Sequence, residues 1–139
     1  MVAFSANDPR TATLIDSTTV SGVGYLLTND STNNKLDLTA NNEIAIGVSA
    51  GESSRDADLV LETTGATVSF FPLNGVMMIA SAASQTYTTG ALVYVQASGL
   101  VGTTSSSRKL LGVYVGEGET TSGSAGDLVP INVTQAATS

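Results

Sequence analysis

The chain has 139 residues, with 5 basic and 12 acidic side chains, a net charge of −7 and only 12% charged residues, about half the share of a typical soluble domain. It contains no Cys and no His, which removes disulfides, thiolate metal sites, cysteine nucleophiles, the Ser-His-Asp relay and most zinc or iron sites. Five scattered cations argue against nucleic-acid binding, and the longest apolar run, Val76-Met77-Met78-Ile79-Ala80, is far shorter than the roughly 20 residues of a membrane-spanning helix.

Ser and Thr fill the gap left by charge, while hydrophobic residues reach 42%, enough for the core of one domain. Residues 1–20 hold Pro9, scattered Ser and Thr and little alternation, and are predicted to form an extended N-terminal arm. Val2, Phe4, Leu14 and Ile15 are its candidate contact residues, able to lay the arm along a partner as an added strand. Residues 1–10 show neither the charged n-region nor the apolar h-region of a signal peptide, so the expectation is a chain made in a cytoplasm.

From residue 21 to 134 the apolar positions alternate with period 2, predicting a single, mainly β domain. Strands are expected at 22–28, 35–39, 43–49, 59–63, 66–71, 75–80, 91–96, 109–115 and 127–133, separated by Gly, Asn, Asp and Ser clusters. Three inward faces are predicted: Ile44, Ile46 and Val48; Leu111, Val113 and Val115; and Val129, Ile131 and Val133. Residues 56–61 and 80–85 are the candidates for short helices, and 135–139 for a flexible tail. Pro130 cannot donate to a sheet ladder, so its strand is expected at an edge or a bulge, an edge being a surface that a neighbouring subunit could cover.

Phe70 and Phe71 are adjacent, so in a strand they point to opposite faces and only one can enter a single core. With Met77 and Met78 nearby, the stretch offers either a second core layer or a subunit interface; Phe70, Phe71, Met77, Met78 and Pro130 are the interface candidates.

The chain also echoes itself. Ser21-Gly22-Val23-Gly24-Tyr25-Leu26 parallels Thr89-Gly90-Ala91-Leu92-Val93-Tyr94 at an offset of 68, and Ile46-Gly47-Val48 parallels Leu111-Gly112-Val113 at 65. Asp58-Leu59-Val60-Leu61 parallels Asp127-Leu128-Val129-Pro130 at 69. These matches suggest half-repeats at 21–65 and 88–134 sharing one core, as in a small barrel or sandwich.

Thr89-Gly90-Ala91-Leu92-Val93-Tyr94-Val95-Gln96-Ala97-Ser98-Gly99-Leu100-Val101, then Leu111-Gly112-Val113, then Gly126-Asp127-Leu128-Val129-Pro130-Ile131-Asn132-Val133 resembles the capsid decoration (cement) proteins of tailed bacteriophages over residues 20–134. The resemblance implies a β-tulip-like barrel or sandwich, no enzymatic activity and no cofactor. It also implies a homotrimer on the outer surface of the virion, with the major capsid protein as partner and the N-terminal arm engaging the shell. This chain departs from the pattern in a longer middle segment, 66–84.

Other readings carry less chemistry. The acidic loop from Gly116 to Asp127 has oxygen ligands and Gly flexibility but not the ordered spacing of a calcium-binding loop, so it reads as a solvated hairpin. Asp56 and Asp58, beside Glu52 and Arg55, read as a polar loop rather than an acid–base pair. The alternative function is a carbohydrate-binding module or fibre segment, for which Tyr25, Tyr87, Tyr94 and Tyr114 are the available stacking surfaces.

Overall fold

A computed structural model describes residues 9–30, 32 and 34–135. The described residues are nearly all β, with 43% of them in strands or bridges and 2% in helix, in three antiparallel sheets. The strands are β1 (Arg10–Thr13), β2 (Leu26–Asp30), β3 (Lys35–Leu38), β4 (Gly47–Ser49), β5 (Thr67–Pro72), β6 (Val76–Ala80), β7 (Thr86–Thr88), β8 (Leu92–Val95), β9 (Val101–Gly102), β10 (Leu110–Tyr114), β11 (Glu119–Thr121) and β12 (Leu128–Val133). Among the described residues one 3-10 turn occurs, at Ala97–Gly99.

The two large sheets repeat one topology. The first runs β1-β5-β4-β2-β3 and the second β6-β12-β10-β8-β9. In each, the strand that opens the unit is carried round to the far edge by one parallel bridge, Leu14 to Leu36 in the first and Ser81 to Val101 in the second. Ile15 N then donates to Leu36 O at 2.9 Å, and Ala82 N donates to Val101 O at 2.8 Å. The ladders put Leu26 opposite Val48 and Val48 opposite Phe71; the second sheet puts Leu92 opposite Val113 and Val113 opposite Asn132. The structural halves are therefore 10–72 and 76–133, wider than the sequence echo suggests.

One echo has a clear steric cause. Gly47 and Gly112 occupy the same position, where the closing strand passes close by. A Cβ at Gly47 would meet the Phe71 carbonyl oxygen at 2.9 Å, and one at Gly112 would fall on the Asn132 carbonyl oxygen. The Asp58 echo does not correspond: the counterpart of β12 is β5, and 56–61 is a turn. There Asp56 Oδ1 accepts from the N–H groups of Asp58 and Val60, holding the chain away from both the predicted helix and the strand predicted at 59–63. Residues 82–85 likewise form a turn rather than a helix.

The predicted arm is corrected over its second half. Residues 10–13 form β1, paired with β5, while Leu14 and Val20 are fully buried. The strand escapes the alternation test because its inward position is the small Ala12, flanked by Thr11 and Thr13. Burial continues past the last strand, where Gln135 Nε2 donates to Ala45 O at 2.7 Å, so residue 135 belongs to the body and not to a tail.

Two predicted faces are also corrected. Ala45 rather than Ile44 or Ile46 enters the core, because the chain becomes strand only at Gly47. In β10 the register shifts between Leu110 and Gly112, so Leu111 and Tyr114 face inward while Val113 and Val115 face out. A bulge of one residue is enough to exchange the faces. The face of Val129 and Ile131 stands as predicted.

Pro130 is not at an edge, because β12 lies between β6 and β10. Its carbonyl accepts from Val115 N at 3.1 Å, so its missing N–H would also point toward Val115. That residue lies one past the end of β10, where the ladder has already stopped. A central strand tolerates proline there.

Two clusters fill the interior. The larger joins Ile79, Tyr87, Val93, Val95, Val101, Leu111, Tyr114, Val129 and Ile131 of the second unit to Leu26, Ala45 and Val48 of the first. The smaller, Leu14, Val20, Leu27, Leu36, Ala66 and Val68, lies within the first unit.

Candidate interaction surfaces

The residues singled out from sequence scatter over both cores and the surface. Val2 and Phe4 lie outside the described residues. Leu14 is fully buried and cannot reach a partner, and Ile15 is half-buried. Phe70 packs against the smaller core and is not free for an interface, while Phe71 points the other way and lines the groove between the units. Met77 packs inward on the larger core; Met78 and Pro130 point outward, with Met78 47% exposed.

Met78 and Pro130 belong to a larger surface that period-2 alternation does not reveal. The outward positions of β6, β12, β10 and β8 are Val76, Met78, Leu128, Pro130, Val113, Leu110 and Leu92, apart from Asn132, Tyr94 and the buried Ala80, and Val115 continues the face just past β10. Val76 is 63% exposed and Leu92 50%, and Leu128, Leu110 and Val115 are all exposed. None of the four strands contains a charged residue. One-sided alternation hides such a face, because it scores the inward residues and takes the outward ones to be polar.

At the β6 border the face runs into an apolar groove of about 320 Å³, lined by Val23, Val48, Phe71, Val76, Met77 and Met78. The two units are tied together beside it by Ala80 N, which donates to Gly24 O at 2.8 Å. On the far side, the 3-10 turn of the second unit lies on β2 and β3, with Gly99 N donating to Thr39 O at 3.0 Å.

A second apolar feature projects from the first unit. Arg55 and Leu61 bridge across a tight loop whose tip carries Leu59 and Val60, 73% and 58% exposed. Asp56 holds the loop through the two bonds to Asp58 N and Val60 N, and Arg55 donates to Leu59 O while pairing with Glu52 at 2.7 Å. Leu59 has φ of 65°, a conformation a leucine adopts only under such constraint.

The remaining polar candidates are spent on structure. Asp127 Oδ2 accepts from Gly123 N and Ser124 N, which folds the acidic loop on itself. Among the described residues no group of three or more His, Cys, Asp and Glu is placed to hold a metal ion. Tyr87 and Tyr114 are buried and stacked on each other at 5.3 Å, and Tyr25 and Tyr94 are half-buried, so the four tyrosines do not make an exposed aromatic platform. Tyr87 is held by Ser81, whose Oγ lies 2.6 Å from its hydroxyl, and burial pushes its pKa up against the smaller opposing effect of that hydrogen bond. No helix among the described residues is long and apolar enough to cross a membrane. No protein-family model matches the chain, and no curated protein does.

Proposed function

We propose that this chain is a structural virion protein that binds the outer surface of a bacteriophage capsid through the major capsid protein and reinforces the shell as a homotrimeric decoration protein. The observation that carries this reading is the broad apolar face of the second sheet, free of charge on a chain of net −7. Large exposed apolar patches on a soluble β body mark interaction surfaces. The sequence resemblance over residues 20–134 supports the same reading. The function is contact without chemistry: many copies binding the assembled shell and not its dissociated subunits stabilise it by mass action.

The segment left to engage the shell is residues 1–8, including Val2 and Phe4, because β1 begins at Arg10. Deleting residues 1–8 should leave thermal melting by circular dichroism unchanged and abolish co-sedimentation with purified shells; undiminished attachment would refute the arm, and a full chain that binds no shell would refute the function. Deleting residues 1–20 should instead unfold the protein, because it removes β1, Leu14 and Val20 together.

A further inference from the structure

The two units offer an internal control for the exposed face. Registers equate Thr11, Thr67 and Ser69 of the first sheet with Met78, Leu128 and Pro130 of the second. Where these outward positions meet water in the first unit they are Ser and Thr; in the second unit they are apolar. The outward Leu26 and Val48 of the first unit are buried by the second, whereas their counterparts Leu92 and Val113 have no such cover. The second sheet is therefore composed as a face to be covered, and the chain holds a feature of matching chemistry in the Leu59–Val60 tip.

We infer that the Leu59–Val60 tip of one copy of this chain seats in the Val76–Met78 groove and on the adjoining sheet face of a second copy. The tip and the groove cannot meet within one chain along β5: the stem of the tip is fixed at the Thr67 end, where Ser54 N donates to Thr67 O at 2.9 Å, while the groove includes Phe71 near the other end. Head-to-tail contact between copies joins them and closes into a ring when the rotation permits. The tip is flanked by Asp56 and Asp58, so it seats best where no further carboxylate faces it, and the four strands of the face carry none. The exposed side chains of the face make a patch on the order of 500 Å², near the largest that monomers carry. The two side chains of the tip, Leu59 and Val60, cover only part of this patch, so the body of the opposing copy around the tip must cover the rest for the contact to reach the roughly 1,000 Å² of a specific interface.

This deepens the self-association in the proposed function and rests on that part of it. The test uses purified protein without capsids, so its failure is distinct from a failure to bind shells. Light scattering behind size exclusion should give the full chain a multiple of its 14.0 kDa mass. Leu59→Ser and Met78→Thr, both at exposed positions, should each reduce it to one protomer with an unchanged circular dichroism spectrum. Mixing the two variants restores a single intact tip-and-groove contact, so the mixture should run as a species of two protomers. A full chain that stays monomeric, variants that assemble normally, or a mixture that remains monomeric would each overturn the inference. A variant that fails to fold is replaced by Val60→Ser or Val76→Thr and read in the same way.

Discussion

In the first unit the smaller core has six buried residues and the sheet's open outward positions are Ser and Thr; the second unit supplies nine of the twelve residues of the larger core, and its outward face is apolar. Strand order, ladder partners and the parallel bridge are shared, so topology alone does not set what a surface meets. A repeated topology thus carries a wetted exterior in one unit and an apolar one in the other. The same bridging position shows the divergence at the level of one side chain: Leu14 fills the first unit, whereas Ser81 in the second turns its hydroxyl to Tyr87.

Substitutions can break this comparison at graded cost. Leu14→Ala should be the most damaging, at about 2–5 kcal/mol in denaturant unfolding, because a small core has few neighbours to collapse into the cavity. Gly112→Ala should follow with about 1–3 kcal/mol, since the obstacle is the backbone carbonyl of Asn132 rather than a side chain that can swing aside. Gly47→Ala should cost less, because the Phe71 carbonyl oxygen there stands farther off, at 2.9 Å, and the nearer obstruction is the Phe70 ring. A reversed order would mean that the two units do not share the strand approach described above.

Tyr87→Phe should have the smallest effect at neutral pH, about 1 kcal/mol, from loss of the Ser81 partner. Its pH signature is more diagnostic. Because the folded pKa of Tyr87 is raised by burial, the folded state retains a proton that the unfolded chain gives up. The associated stability is fully present below the unfolded value of about 10 and is lost as pH rises through the raised folded value. Thermal melting above pH 10 should therefore fall less steeply in Tyr87→Phe than in the full chain. Parallel pH profiles would contradict the buried placement of the phenol.

The period-2 pattern was enough to establish a β protein, and the repeated Ile/Leu-Gly-Val marked equivalent strands because both glycines face the same close approach. Three features escaped it for separate physical reasons. β1 has only Ala12 to signal its inward side, so a real strand looked like an arm. The bulge after Leu110 changed which residues of β10 are inside, which no count of alternating positions detects. Leu59 and Val60 are apolar yet point to solvent, so apolarity there was misread as a strand. The candidate surface is half legible: Met78 and Pro130 stand out in the sequence, but the face they share emerges only from the register of four strands.

The bridges at Leu14–Leu36 and Ser81–Val101 bear on how copies can be crowded together. Each joins the outermost strands of its sheet, and open strand edges are the usual templates for uncontrolled pairing between neighbours. At the end where each bridge forms, the edge backbone groups are already engaged, and there side chains decide which encounters with an adjacent molecule persist. Copies that meet at those ends are therefore matched by shape and side chain rather than zipped together by an added strand.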